Sequence, residues 1–235
     1  MQSNIYDVCI VGGLGHVGLP LGISLASVGK KVVLYDINQK VGEVVLQGKM
    51  PFIEVGAEEL LKKVLGNKLF ISSDKKVISD SYFVIIVIGT PVDEHLNPRF
   101  TIFKNFFDEI IEWIKDDQHI ILRSTVFPGT TEKIKAHIES KGKLTKVSYC
   151  PERIAQGKAI EEIRNLPQIV ASSDENAQKE AGELFLLLTK DILYLEPIEA
   201  ELAKLFTNVW RYIEFSISNQ FYQIATQNGV DFYRI

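Results

Sequence analysis

Residues 6–18 read YDVCIVGGLGHVG, a short and largely apolar run that passes directly into glycines. A run of this kind from Tyr6 to Val11 predicts a strand buried on both faces of a parallel sheet. The glycines follow the spacing Gly13-x-Gly15-x-x-Gly18, which after a strand is typical of a loop that binds a dinucleotide. The first glycine allows a tight turn, the second lets a pyrophosphate approach the backbone, and the third lets helix and strand pack closely.

The cofactor predicted for this loop is NAD, because of one acidic side chain. Asp36 ends a second predicted strand, Lys31 to Tyr35, and stands 18 residues after the third glycine. A carboxylate there can accept both ribose hydroxyls and would repel the 2′-phosphate of NADP. The pyrophosphate is expected on the free N–H groups of the helix N-terminus, and Leu14, His16 and Val17 of the same loop are predicted cofactor-binding residues. His16 is expected in the first helical turn and not as a catalyst, and a glycine turn without a ligand is the alternative interpretation.

The rest of the chain alternates strand and helix signals, which predicts an α/β fold with a doubly wound, Rossmann-type parallel sheet. Further strands are predicted at 83–88, 119–122, 146–149, 168–171 and 192–195, and helices at 15–28, 40–46, 102–115, 130–140 and 175–189. After Pro197 a long helix is predicted from Ile198 to about Asn228, with Gly229 at its end. This pattern divides the chain into a dinucleotide-binding domain, residues 1–196, and a long helix, residues 197–235.

Composition is that of an ordinary globular protein and argues against several classes. Hydrophobic residues make up 46% and charged residues 24%, and no run of 18 apolar residues suggests a membrane span. The N-terminus does not read as a signal peptide, and the net charge of −4 gives no basic surface for nucleic acid. Two cysteines, Cys9 and Cys150, each at a predicted strand, fit a reducing, cytoplasmic location. The expected partners are small molecules and protein subunits, with no nucleic acid and no membrane.

Four later segments carry more information than the glycine loop alone. They are Gly89-Thr90-Pro91, Ser124 to Thr131 (STVFPGTT), Pro151-Glu152-Arg153 with Gly157, and Glu201-x-x-Lys204-x-x-x-Asn208. The first three begin where predicted strands end, at the edge where open α/β sheets bind ligands. The fourth lies on the long helix, where a spacing of four residues puts Lys204 and Asn208 on one face.

Together with GLGHVGLP at residues 13–20, these segments make the sequence resemble the UDP-glucose/GDP-mannose dehydrogenase family over nearly its whole length. The Pro-Glu-Arg form and Asn208-x-x-Arg211 look most like the branch that acts on UDP-N-acetyl-hexosamines, such as UDP-N-acetylmannosamine. The resemblance implies that the C6 alcohol of a UDP-sugar is oxidised to a carboxylate with two NAD⁺. It also implies an N-terminal NAD domain, a long central helix that forms a homodimer, and a C-terminal sugar-nucleotide domain.

The same resemblance implies roles for individual residues. Thr90 and Thr125 match residues on the nicotinamide side, and Glu152 matches a carboxylate beside the reacting carbon. Lys204 and Asn208 match a pair that holds a water or oxyanion, and an ammonium beside an amide can stabilise negative charge on the sugar oxygen. The candidate site residues are, for the cofactor, Gly13, Leu14, Gly15, His16, Val17, Gly18, Asp36, Thr90 and Thr125; for catalysis, Thr125, Glu152, Lys204 and Asn208; and for the substrate, Glu152, Arg153, Lys204, Asn208 and Arg211.

Alternative interpretations of the charged residues stay open at this point. Glu201, Lys204 and Arg211 could form a solvated face with local ion pairs. Glu152 and Arg153 could belong to an ordinary surface loop.

Two features depart from the family pattern. Phe127 stands where many relatives have a smaller residue or proline. The family's nucleophilic cysteine lies in a glycine-rich segment after the long helix, and these 235 residues contain no such segment. Cys150 closes a predicted strand and is expected to be a small core residue, not a substitute nucleophile. The chain is therefore expected to bind NAD without completing the oxidation, and a stand-alone NAD-binding regulatory module is the alternative.

The long helix also carries an apolar stripe that predicts an interface. The stripe is wider than one domain easily covers, and a large exposed apolar patch usually marks a contact with another chain. Its members are Leu202, Leu205, Phe206, Val209, Ile213, Ile217, Phe221 and Ile224. A homodimer through this helix is the expected assembly.

Overall fold

An eight-stranded sheet runs through the described part of the chain, which in this computed structural model comprises residues 4–89 and 100–235. The strands are β1 (Tyr6–Val11), β2 (Val32–Tyr35), β3 (Leu69–Ser72), β4 (Ser81–Ile86), β5 (His119–Leu122), β6 (Lys146–Tyr149), β7 (Gln168–Ala171) and β8 (Ile192–Leu195). Their order is β3-β2-β1-β4-β5-β6-β7-β8. Neighbours are parallel except β6 and β7, which meet antiparallel at Tyr149 and Ala171. The predicted Rossmann-type sheet is confirmed, with this one exception to parallel pairing.

Helices cover both faces of this sheet. They are α1 (Gly18–Ser27), α2 (Gln39–Leu46), α3 (Ala57–Val64), α4 (Lys76–Ser79), α5 (Phe100–Ile110), α6 (Thr130–Ser140), α7 (Ala159–Asn165), α8 (Glu175–Leu186) and α9 (Pro197–Gln227). One core lies between the sheet and α1, α3, α7 and α8, and the other lies between the sheet and α4, α5, α6 and the start of α9. Burying both faces explains why the central strands are continuous apolar runs and not alternating ones.

Some elements differ from the sequence prediction. The predicted strand 83–88 occupies Ser81–Ile86, and the helix predicted from Gly15 begins at Gly18. The edge strand β3 and the helices α3, α4 and α7 were missed. Strand β3 reads LFIS, and a run of three apolar residues is too short for the sequence pattern to indicate a strand.

The glycine loop lies where the strand order reverses. β1 has β2 on one side and β4 on the other, so the connections that leave these strands run to opposite halves of the sheet. Such a reversal opens a crevice at the carboxyl ends of the strands. Helix α1 fills the space behind this crevice with nine of its ten residues buried. At Gly22 a Cβ atom would lie 2.6 Å from Leu34 Cδ2, so helix and sheet approach as closely as a glycine allows.

Helix α9 has two different halves. Its start is fixed by a reciprocal capping box of Glu196 and Glu199, and Ala200, Glu201 and Lys204 are buried against the domain. Beyond Lys204 most side chains are half-buried or exposed. At 31 residues the helix is about 46 Å long. Across residues 4–89 and 100–235, neither this helix nor any other combines the length and apolar character needed to cross a membrane.

Candidate functional site

Steric packing explains two of the three motif glycines. A Cβ atom at Gly13 would lie 2.8 Å from the Ile10 carbonyl oxygen, and one at Gly18 would lie 2.7 Å from the Gly12 carbonyl oxygen. Gly12, which the sequence prediction did not single out, takes the left-handed conformation of the turn, with φ of +78°. A Cβ atom at Gly15 would have one neighbour, the Gly12 oxygen at 3.6 Å. The second glycine of the motif therefore faces open space in which a ligand can approach the backbone.

Asp36 ties the glycine loop to the end of β2. Its Oδ2 accepts the Leu14 N–H at 3.0 Å, and its Oδ1 accepts the Asn38 N–H at 3.0 Å. Beside it lies a cavity of about 270 Å³ whose lining includes Leu14, Gly42 and Ser72. The carboxylate oxygens still have unused acceptor sites, so a polyhydroxyl group in this cavity can bond to them.

His16 and Val17 lie on the other side of the loop. The first main-chain bond of the following turn runs from the Leu19 N–H to the Gly15 carbonyl, at 3.0 Å. This i→i−4 bond closes a turn that contains His16, as predicted, although the regular helix α1 begins two residues later, at Gly18. His16 is exposed, and its ring stacks on Phe52 with centroids 4.0 Å apart.

A second cavity, of about 320 Å³, brings together several predicted site residues from distant parts of the chain. Those in its lining are His16, Val17, Thr125, Glu152 and Lys204, together with Arg123 and Gln156, which the sequence prediction did not include. The N-terminal end of the glycine loop thus faces the Asp36 cavity, and its C-terminal end faces this one. A ligand that spans both cavities must cross the open face of Gly15.

The loop after β5 forms one wall of the second cavity. Ser124 Oγ donates a hydrogen bond to the Ile88 carbonyl at 2.6 Å, and Thr125 next to it is half-buried and lines the cavity. Thr90, also predicted for this wall, lies outside the described residues. Phe127 is partly exposed and lies outside the cavity lining.

Glu201 is a structural residue that joins α9 to α6. It is fully buried, and its carboxylate accepts the Thr131 N–H at 2.8 Å, the Thr131 hydroxyl at 2.7 Å and the Gly129 N–H. The carboxylate thereby satisfies free N–H groups at the start of α6, where the helix dipole favours negative charge. The alternative of a solvated charged face is wrong for Glu201 and for Lys204, which is also buried.

Glu152 is buried as well, so the surface-loop alternative for it is wrong. Its Oε2 accepts the Arg123 Nε at 3.0 Å and also the Arg123 Nη2. Its Oε1 accepts the N–H groups of Arg153 at 2.7 Å and Ile154 at 3.0 Å. The Pro-Glu-Arg loop is therefore folded around its own carboxylate.

Arg123, at the end of β5, is the main residue that the sequence prediction missed. It is 2% exposed, and besides Glu152 its Nη1 contacts the Cys150 carbonyl and the Gln168 side-chain oxygen, both at 3.0 Å. Its guanidinium lies 4.9 Å above the centre of the Phe185 ring. The sequence did contain an indication, because Arg123 directly follows the apolar strand HIIL. An arginine at such a position is rarely buried without a charged partner, so an ion pair could have been expected there.

Lys204 reaches the same loop from α9. Its Nζ donates to the main-chain carbonyl of Glu152. Burial lowers the pKa of Lys204 to about 8; the Glu152 charge acts in the opposite sense, while Arg211, Arg123 and Arg153 lower the pKa further. An amine with this pKa can hold or release a proton near neutral pH.

The remaining predicted substrate residues lie outside the lining of this cavity. Asn208 is half-buried one turn after Lys204 and is outside the cavity lining. Arg211 Nη2 donates to the Arg153 carbonyl at 3.2 Å, and the Arg153 guanidinium in turn donates to the Pro167 carbonyl. Arg153 and Arg211 therefore bond to main-chain carbonyls, whereas Lys204 and Glu152 line the cavity.

The structure confirms the prediction that Cys150 is a core residue. It is fully buried, and burial raises the pKa of its thiol to about 12. Burial raises the pKa of the Cys9 thiol as well. Because a nucleophilic cysteine needs its thiolate form, neither position has the environment of a nucleophile.

The chain matches nucleotide-sugar dehydrogenases in both sequence and fold. Residues 6–188 match the family model described as UDP-glucose/GDP-mannose dehydrogenase family, NAD binding domain. The UDP-N-acetyl-D-mannosamine dehydrogenase of Methanococcus maripaludis is 29% identical over 233 residues, which is 97% of this chain and 53% of that protein.

Two solved structures share the fold along nearly the whole chain. UDP-D-ManNAc dehydrogenase from Pyrococcus horikoshii has a TM-score of 0.86 at 29% identity, covering 97% of this chain and 56% of that one. GDP-mannose dehydrogenase from Pseudomonas aeruginosa, solved as a ternary complex, has a TM-score of 0.86 at 26% identity, covering 97% and 55%. The chain spans about half the length of the curated relatives that it matches.

Proposed function

Because this chain belongs to the UDP-glucose/GDP-mannose dehydrogenase family and matches its NAD-binding domain, we propose that it carries the cofactor site and part of the active site of a nucleotide-sugar 6-dehydrogenase. The observation that carries the proposal is the pair of cavities on the two sides of the glycine loop, with Asp36 in one and Lys204 in the other. UDP-N-acetylmannosamine is the first candidate substrate, since similar proteins bear its name.

The residues present fit NAD. The open face of Gly15 leaves room for a pyrophosphate, the start of α1 offers free N–H groups, and Asp36 offers acceptors for ribose hydroxyls. Thr125 would face the nicotinamide side. When bound, NAD⁺ supplies the acceptor for the hydride that leaves the sugar carbon.

The chain's own side chains supply charge stabilisation and proton handling. As the C6 alcohol is oxidised, its oxygen loses a proton and passes through a state with increased negative charge. The Lys204 ammonium stabilises that charge, and a pKa of about 8 lets the amine exchange a proton near neutral pH. We assign Asn208 as its partner on the same helix face, Glu152 to the cavity beside the reacting carbon, and Arg153 with Arg211 to substrate binding.

A substitution at Gly15 tests the cofactor site. Its φ is not in the left-handed region and a Cβ atom meets its nearest neighbour at 3.6 Å, so Gly15→Val is expected to fold normally. The valine methyl groups would occupy the space proposed for the pyrophosphate, so NAD⁺ binding measured by calorimetry should be lost. Gly15→Ala is the graded control and should weaken binding less. If the valine variant melts like wild type and binds NAD⁺ equally well, the assignment of this loop is wrong.

We also propose that α9 forms a homodimer interface. Beyond Lys204 its exposed large apolar residues are Phe206, Val209, Trp210, Tyr212, Ile213, Phe215, Ile217, Phe221, Tyr222 and Ile224, each at least 44% exposed. An apolar surface of this length is costly to leave in water. Light scattering at tens of micromolar should give a dimer mass for wild type and a monomer mass for Ile217→Lys. A monodisperse wild-type monomer would count against the proposal.

A further inference from the structure

Arg123 is a buried cation of the second cavity that the motifs above leave without a role. Its guanidinium is fixed on every side: Nε and Nη2 meet the Glu152 carboxylate, Nη1 meets Cys150 and Gln168, and the Phe185 ring lies against its face. A planar fork held by this many contacts has one orientation. Arg123 therefore fixes the direction of whatever it binds.

Arg123 binds the carboxylate of Glu152. Oε2 is taken by the guanidinium, and Oε1 by the N–H groups of Arg153 and Ile154. The main-chain carbonyl of the same residue accepts the Lys204 ammonium. Glu152 thus presents its carboxylate to Arg123 and its carbonyl to Lys204.

The separation matters because the Glu152 carboxylate and the Lys204 ammonium carry opposite charges in a buried cavity. Without Arg123, Oε1 would still be held by the two N–H groups, but the freed Oε2 would be drawn to the ammonium and would occupy one of its protons. The charged groups that face Lys204 are this carboxylate and the guanidinium groups of Arg123, Arg153 and Arg211. Of the three guanidinium groups, that of Arg123 alone forms a direct ion pair with the carboxylate.

We propose that Arg123 is a positioning residue that holds the Glu152 carboxylate away from Lys204, so that the ammonium protons remain available to the substrate oxygen. The role of Lys204 rests on the proposed function. The effect of Arg123 on Glu152 and Lys204, in contrast, is measurable without substrate or turnover.

The test is a double-mutant cycle of Arg123 and Glu152 in which the pKa of the Lys204 side chain is measured. The Lys204 ammonium of the 235-residue chain is titrated by NMR of isotope-labelled lysine, and its resonance is assigned by its loss in Lys204→Arg. From the wild-type pKa of about 8, Arg123→Gln should raise the pKa of Lys204 by at least about one pH unit. In the Glu152→Gln background, the same Arg123→Gln change should produce less than half of that rise.

An equal rise in both backgrounds would mean that Arg123 acts only by repelling the ammonium, and the positioning role would be refuted. No rise in the single variant refutes it too.

Thermal melting and amide spectra check the fold of each variant. If Arg123→Gln does not fold, Arg123→Lys enters the same cycle, because it keeps the charge and loses the fork. NAD⁺ titration of the same samples tests the proposed function separately: wild type that fails to bind NAD⁺ contradicts that function and leaves the Lys204 cycle readable.

Discussion

Replacing Asp36 by asparagine tests the choice of cofactor at a single side chain. The carboxylate accepts the N–H groups of Leu14 and Asn38, one at each oxygen, both at 3.0 Å. An ionised carboxylate offers about four acceptor sites, so each oxygen keeps one for a ribose hydroxyl. Asparagine keeps one acceptor oxygen, has no charge, and turns its NH₂ group toward the second N–H donor.

The expected loss follows from these contacts. A hydrogen bond to a charged group contributes about 1.5–3 kcal/mol, and Asp36→Asn removes one such bond to the ribose. NAD⁺ affinity should therefore fall about 10- to 150-fold. NADP⁺ affinity should not fall, because the repulsion between the carboxylate and the 2′-phosphate disappears. The preference for NAD⁺ over NADP⁺ should shrink by at least the same factor.

The assay is calorimetric titration of both cofactors into wild type and variant at one pH and one salt concentration. Asp231→Asn is the matched control, since that exposed carboxylate also accepts a main-chain N–H, from Tyr233 at 3.0 Å. Thermal melting shows whether the loop contacts at Leu14 and Asn38 still support the fold. An unchanged ratio of the two affinities in a folded Asp36→Asn variant would refute the reasoning.

Two further predictions concern stability. Glu201→Ala leaves the N–H groups of Gly129 and Thr131 unpaired at the start of α6, where Thr131 is buried and Gly129 half-buried, and should cost roughly 2–6 kcal/mol of unfolding free energy in urea. The exposed cap residue Glu199 should cost less than about 2 kcal/mol as alanine, and equal losses would contradict the capping role of Glu201. Burial lowers the pKa of Lys204 from 10.5 to about 8, so between these values the unfolded chain binds the extra proton and the contribution of Lys204 to stability rises with pH. The difference in unfolding free energy between wild type and Lys204→Met should shift in favour of wild type by at most about 1.4 kcal/mol per pH unit, and a difference independent of pH would show that the pKa is not lowered.

Local patterns predicted much of the site because the physics at those points is local. The turn at Gly13, the close packing at Gly18 and the acid after β2 each depend on neighbours in sequence or on an adjacent strand. The strand ends at the carboxyl edge followed from the βαβ order. Thr125 and Glu152 were thereby predicted for one edge of the sheet, and the family resemblance added Lys204; all three line one cavity.

Contacts between distant residues were decided only by the tertiary structure. The sequence indicated that Lys204 and Glu201 lie on one helix, yet nothing in a local pattern says that Glu201 caps α6, 70 residues earlier, or that Lys204 meets a carbonyl 52 residues away. The Arg123–Glu152 pair joins residues 29 apart on adjacent strand ends. A buried charge requires a partner, so the existence of a partner for such a residue can be expected before the structure is known. Which partner it takes depends on how strands and helices pack, because that choice is made by side chains that meet only after the chain has folded.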